Sequence, residues 1–314
     1  MSSNQLPWRR MLMATAFFFG CGFSLSWSQT PAPAPAPKST YLGSESCKDC
    51  HEAQWTEFQR NVHGLAEKDA KLVRDAVGCE ACHGPGSAHV ESGGDRENPG
   101  FATLRNFATL PPREATQACL NCHQGGEQMH WAHSEHDRNN VSCVQCHSIH
   151  DAKSHGQAAL LKKADAGQLC MDCHQDKQIA MARTAHMPLR EGSMTCADCH
   201  NPHGSPTEHN LRAVSSNELC LKCHGDKRGP FLWEHAPVRE NCVNCHDPHG
   251  SNSPQVLASK LPFLCQRCHI STRHPSTLYD APDLASNRLF NRSCVNCHSQ
   301  VHGSNHPSGK FFLR

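Results

Sequence analysis

Ten times in 314 residues the chain places two cysteines three positions apart with a histidine directly after the second. The triplets are Cys47, Cys50, His51; Cys79, Cys82, His83; Cys119, Cys122, His123; Cys143, Cys146, His147; and Cys170, Cys173, His174. They continue with Cys196, Cys199, His200; Cys220, Cys223, His224; Cys242, Cys245, His246; Cys265, Cys268, His269; and Cys294, Cys297, His298. Of 21 cysteines, only Cys21 falls outside them. Exported chains use paired cysteines for disulfides, and C-x-x-C pairs also hold zinc. Neither use needs a histidine at the fifth position. With 25 histidines in 314 residues, ten out of ten there by chance is negligible.

That spacing suits covalent attachment of c-type haem. Each thiol bonds one vinyl-derived carbon of the same porphyrin, and the adjacent histidine is set against one face of the iron as its proximal ligand. The reading is therefore ten covalently bound haem c groups, attached by the cysteines and ligated by the ten motif histidines. It also constrains the fold. Only 37% of the residues are hydrophobic and 6% aromatic, so a conventional core is out of reach unless cofactors supply one. Residues 41–314 leave about 27 residues per haem, too few to enclose each separately. The expected fold is a multihaem cytochrome c: irregular loops and short α-helices wrapped round an elongated haem chain, with little or no β-sheet.

Ten six-coordinate irons need ten distal ligands, and 25 histidines less ten proximal ones leave 15. Taken in odd–even motif pairs, the chain carries one spare histidine after each odd motif and another just behind each even motif. The upstream set is His63, His136, His186, His235 and His274, and the downstream set is His89, His150, His203, His249 and His302. These ten are the candidate distal ligands. Which serves which iron stays open, and His302 stands one residue late in the repeat, with His306 as its rival. The methionines beyond the leader do not follow the repeat, so all-bis-histidine, low-potential haems are expected.

Arg9 and Arg10 precede an apolar run to Phe23, and Ser26–Trp27–Ser28 offers a cleavage site, so 1–28 reads as an export signal. A membrane anchor would be a marginal span, and Cys21 after Gly20 offers lipidation as a further alternative. Residues 29–40, rich in proline and alanine, read as a semi-rigid tether. Five two-haem units follow, at approximately 41–112, 113–163, 164–213, 214–259 and 260–314. Brief helices are expected around 154–169 and 215–220, with an irregular loop between His89 and Cys119. The formal charge is +1 and the longest basic runs are pairs such as Lys162–Lys163, so nucleic acid is not an expected partner.

The ten-motif layout, the leader, "DKRGPFLWEHAPVRENCVNCHDPHGS" (226–251) and "SCVNCHSQVHGSNHPSGK" (293–310) resemble the MtrA/DmsE family of periplasmic decahaem cytochromes. The resemblance implies a haem wire associated with the outer membrane, seated in a β-barrel porin. It carries electrons between periplasm and exterior, for metal or sulfoxide reduction or for iron(II) oxidation. Partners implied are that porin, an outer-surface multihaem cytochrome, and a periplasmic or inner-membrane cytochrome. The residues themselves favour an electron carrier over an enzyme, because every iron has a second histidine in supply. A soluble periplasmic shuttle and a multihaem oxyanion reductase are the alternatives.

Overall fold

Each C-x-x-C-H motif folds as one helical turn. In nine of them the histidine N–H donates to the carbonyl of the first cysteine at 2.9–3.1 Å, and the tenth is the five-residue helix Cys79–His83. Positions i, i+3 and i+4 lie on one face of such a turn, so both sulfurs and the imidazole project to the same side. Local sequence starts these turns. Ser142 with Gln145 and Thr195 with Asp198 form reciprocal capping boxes ahead of Cys143–Cys146 and Cys196–Cys199. Asn241 caps Cys242–Asn244 by accepting from the Val243 N–H at 3.1 Å.

The computed structural model describes residues 37–69, 78–153, 160–269 and 293–313. The leader, most of the tether and His274 lie outside the described residues. Hydrogen bonding starts slightly earlier than the sequence suggests. Thr40 donates its N–H to Ser87 Oγ at 2.9 Å and Ser39 Oγ donates to the Pro85 carbonyl at 2.7 Å.

Among the described residues the longest helices, Glu52–Arg60 and Pro112–Leu120, have nine residues each. The described residues form no strands, only isolated bridges such as His200 with Leu211 and His246 with Leu257. No described helix is long and apolar enough to cross a membrane. Of the helix expected at 154–169, residues 154–159 lie outside the described residues; beyond them the described helix runs Ala166–Met171, capped by Asp165. Leu160 is left-handed at φ 48° and Leu161 bridges back to His147, so the described residues just ahead of that helix are not helical. The loop after His89 is irregular apart from a short turn at Phe101–Thr103 and the helix Pro112–Leu120, with proline in its first turn.

Buried apolar side chains are few. Among the described residues they are Phe58, Trp131 and Met181, with three alanines. These three large side chains stand five residues ahead of His63, His136 and His186 respectively. Polar clamps do the remaining joining. Ala185 and Ser251 exchange backbone hydrogen bonds of 2.9 and 2.7 Å, Trp233 and Ser304 do so at 3.0 and 2.9 Å, and Arg212 pairs with Glu127 at 2.9 Å.

Candidate haem centres

A common turn follows the even motifs. After His200 and His246 the chain loops out and returns, and Arg212 and Ala258 donate to the carbonyls of Cys199 and Cys245 at 2.9 and 2.8 Å. At the tip a left-handed residue, His209 at φ 56° or Gln255 at φ 54°, aims its carbonyl at the motif histidine. His200 Nδ1–H donates to His209 at 2.7 Å and His246 Nδ1–H to Gln255 at 2.9 Å. His83 uses the Arg105 carbonyl at 2.9 Å, and His298 uses that of Phe311. Fixing the proton on Nδ1 leaves the Nε2 lone pair free to ligate a metal.

Eight motif histidines face a spare histidine at nearly one distance. Centroid separations are 6.4 Å for His51–His89, 5.9 Å for His63–His123, 6.2 Å for His83–His150 and 6.2 Å for His136–His174. They are 6.0 Å for His147–His203, 6.0 Å for His200–His249, 6.2 Å for His235–His269 and 6.1 Å for His246–His302. An in-line imidazole–metal–imidazole unit has metal–nitrogen bonds of about 2.0–2.1 Å and about 1.1 Å from nitrogen to ring centre at each end, so its centroids lie roughly 6 Å apart. Each pair joins one motif histidine to one spare histidine, which random aromatic packing would not enforce. Burial holds His63, His150, His203, His235, His249 and His302 below the usual imidazole value. They are therefore neutral, the form that ligates.

The attachment points run in unbroken order. Within each odd–even pair the first cysteines lie within hydrogen-bonding reach of each other: Cys47 and Cys79, Cys119 and Cys143, Cys170 and Cys196, Cys220 and Cys242, Cys265 and Cys294. Between pairs the second cysteines are neighbours. Burial pushes up the thiols of Cys82 and Cys146, and Cys122 and Cys173 beside them add to it. Burial is again the main cause at Cys199 and Cys245, with Cys223 and Cys268 adjacent. A cavity of 4910 Å³ runs along these motifs. It is lined by nine of the ten motifs, all but Cys47–His51, and shared over those nine it gives about 550 Å³ each, within the roughly 300–1,000 Å³ typical of one bound small molecule. Thiols, imidazoles and space all fit covalent haem.

A family model described as a doubled CXXCH motif matches residues 133–179, 186–229 and 235–274. Over 280 residues the chain is 42% identical to the multiheme cytochrome MtrA of Shewanella baltica (strain OS185), covering 87% of this chain and 81% of that one. The chain belongs to the MtrA family of multihaem cytochromes. Like its family it is an electron-transfer protein carrying covalent haem c, not an enzyme.

The doubled motifs of this MtrA relative join an even motif to the following odd one, one motif out of step with the odd–even units read from sequence. The ring pairs explain the frame. His136–His174 lies within the first matched stretch and His235–His269 within the third. Among the sequence-predicted ligands, His302 takes the pair with His246, while His306 is exposed and its Nδ1 accepts from the Ser308 N–H at 3.1 Å. His224 and His298 stand outside the eight pairs. His186 donates from Nδ1 to the Arg183 carbonyl at 2.9 Å and from Nε2 to Glu191 at 3.2 Å. The Arg183 carbonyl and then Glu191 raise its pKa. Sequence reasoning missed Phe58, Trp131 and Met181, whose common offset from the upstream histidines was the available signal. It also missed His209, which serves through its carbonyl and not its ring.

Proposed function

We propose that this chain is an electron conduit holding ten haems in one file between the periplasm and the cell exterior, seated in an outer-membrane β-barrel porin. Residues 1–28 direct export and 29–40 form the tether. An outer-surface multihaem cytochrome accepts or supplies electrons at one end, and a periplasmic or inner-membrane cytochrome does so at the other. The observation that carries the reading is the unbroken order of attachment sites, alternating first-to-first and second-to-second cysteines from Cys47 to Cys294. The identity to MtrA supports it.

When bound, each haem supplies a one-electron iron couple. The protein's own work is positional. Paired thiols fix each attachment in register with the next. Each of the eight facing histidine pairs would supply two imidazole nitrogens to one iron, which would keep substrates off it. His186 would serve the His224 site, releasing Glu191, as the shared stretch 186–229 supports. Carbonyls of Arg105, His209, Gln255 and Phe311 hold the proximal imidazoles in the ligating tautomer.

Haem quantitation on the exported holoprotein, with purification from outer-membrane fractions, tests the proposal. Ten haems per chain and recovery with a barrel protein are expected. Reconstituted in liposomes with that barrel, the pair should reduce an external acceptor from an internal donor. A chain recovered only as a barrel-free soluble species would make it a shuttle and overturn the conduit.

A further inference from the structure

The eight histidine pairs share one spacing but not one twist. Six are near-parallel, with ring planes 25° apart at His51–His89, 26° at His83–His150, 18° at His147–His203, 17° at His200–His249, 21° at His235–His269 and 17° at His246–His302. Two are crossed: His63–His123 at 74° and His136–His174 at 58°. Both crossed pairs take their spare histidine from the upstream set, yet so does the near-parallel His235–His269. The three differ in the residue five positions earlier. It is Phe58 ahead of His63 and Trp131 ahead of His136, 4% and 5% exposed, but Pro230 ahead of His235.

The Trp131 ring lies 6.5 Å from His136, tilted by 32°, and 6.4 Å from His203. The indole is buried, and its ring packs between the two imidazoles. His136 is further tethered by Nδ1 to the Pro202 carbonyl at 2.7 Å. His203 touches the same indole but is fixed by its own turn, where Asn201 Oδ1 accepts its backbone N–H at 3.1 Å.

We propose that Phe58 and Trp131 are positioning residues that cross the axial imidazoles at the third and fifth motifs, dividing the haems into two electronic classes. This rests on the axial pairing proposed above. The π orbital of an imidazole stands perpendicular to its ring. Parallel rings donate into the same iron dπ orbital and split the pair, whereas crossed rings donate one into each and leave the two close in energy. Crossed sites therefore have a larger g anisotropy in the ferric state. They also lack the extra ferric stabilisation of the parallel arrangement, so their potentials are higher. The sites at Cys119/Cys122 and Cys170/Cys173 form this class, on either side of a near-parallel site at Cys143/Cys146.

Low-temperature EPR of the fully oxidised holoprotein is the test. A large-gmax low-spin signal from at least two haems is expected beside rhombic signals from at least six. Trp131→Ala and Phe58→Ala should each remove about one haem of large-gmax intensity without creating high-spin iron, and Trp131→Phe should retain it. His136→Ala should remove the same intensity and create one high-spin haem, a result that stands even where the packing variants fail to fold. On stepwise reduction the large-gmax signal should be lost before the rhombic ones. Absence of that signal in the wild type, or its survival in His136→Ala, would overturn the inference, as would its loss last on reduction. Fewer than ten haems by pyridine haemochrome would instead overturn the underlying cofactor reading, and that measurement is independent of the g values.

Discussion

The first motif and the inner ones solve the same ligation problem in different ways. In the inner part of the chain the paired spare histidines face motifs from neighbouring stretches, as His203 faces His147 and His249 faces His200. At the N-terminal end His89 turns back onto His51, only one motif away. The inner loops are short and held by a left-handed carbonyl, whereas His83 reaches its carbonyl at Arg105 across 22 residues. The end of an interlocked array has a neighbour on one side only, so His83 still borrows His150 from the next stretch while His51 is served from within the first pair, as in other repeat proteins whose terminal unit must cap itself. Here the cap is polar. Glu80 is buried; its two carboxylate oxygens share the Leu42 N–H, and Oε2 also accepts from Gly43 and Oε1 from Gly86, at 2.7–3.1 Å.

Removing a distal histidine from each region gives the largest contrast. His249→Ala and His89→Ala should each turn one haem high-spin, seen by EPR. His249→Ala also cuts a link between stretches, so its cost should be about 3–5 kcal/mol, in the range expected when a metal link is lost. His89→Ala leaves its neighbours tied, and its fall in melting temperature should be about half as large. Equal falls would mean that the inner histidines do not bind the stretches together.

Glycine substitutions separate the regions next. Gly250 follows His249 at φ 137°, and a Cβ there would lie 2.1 Å from the Ala180 carbonyl oxygen of the preceding stretch. Gly250→Ala should cost about 2–4 kcal/mol from backbone strain plus overpacking. Gly93, in the N-terminal loop, has φ 61° and open space around it, so Gly93→Ala should cost about 1–2 kcal/mol from conformation alone. Thermal melts followed by Soret circular dichroism compare them. A Gly250→Ala effect no larger than that of Gly93→Ala would remove the close approach as a constraint.

Attachment was legible in the sequence because it is local: C-x-x-C-H is one helical turn, and one turn is all the geometry it needs. The supply of spare histidines was legible as a repeat for the same reason. The pairing was not, since partners such as His83 and His150 are 67 residues apart and meet only when loops interlock. Reading odd motifs with the even ones that follow captured the contacts of first cysteines. It hid those of second cysteines, which join each even motif to the next odd one and follow the frame of the family match. Within the described part of the helix expected around 154–169, residues 160–165 are not helical because His147 pairs with Leu161, a return that no local propensity encodes.

The smallest contrast uses one slot of the motif twice. Glu80 and Val243 both directly follow the first cysteine of an even motif. In the inner motif this position does little, and Val243 is 42% exposed, so Val243→Ala should stay within about 0.5 kcal/mol. In the first motif the same slot carries the carboxylate that gathers three backbone N–H groups. Glu80→Gln keeps the shape but replaces one accepting oxygen with a donor that faces another donor. Hydrogen bonds to a charged group contribute about 1.5–3 kcal/mol, and an unpaired buried group costs about as much, so a loss near 2 kcal/mol is expected. The loss should be local as well as global. Backbone amides of Leu42, Gly43 and Gly86 should gain hydrogen-exchange rate in Glu80→Gln while those around Cys242 stay protected. Uniform change across both regions would show that the cap and the inner repeat unfold as one, and that the first pair does not close on itself.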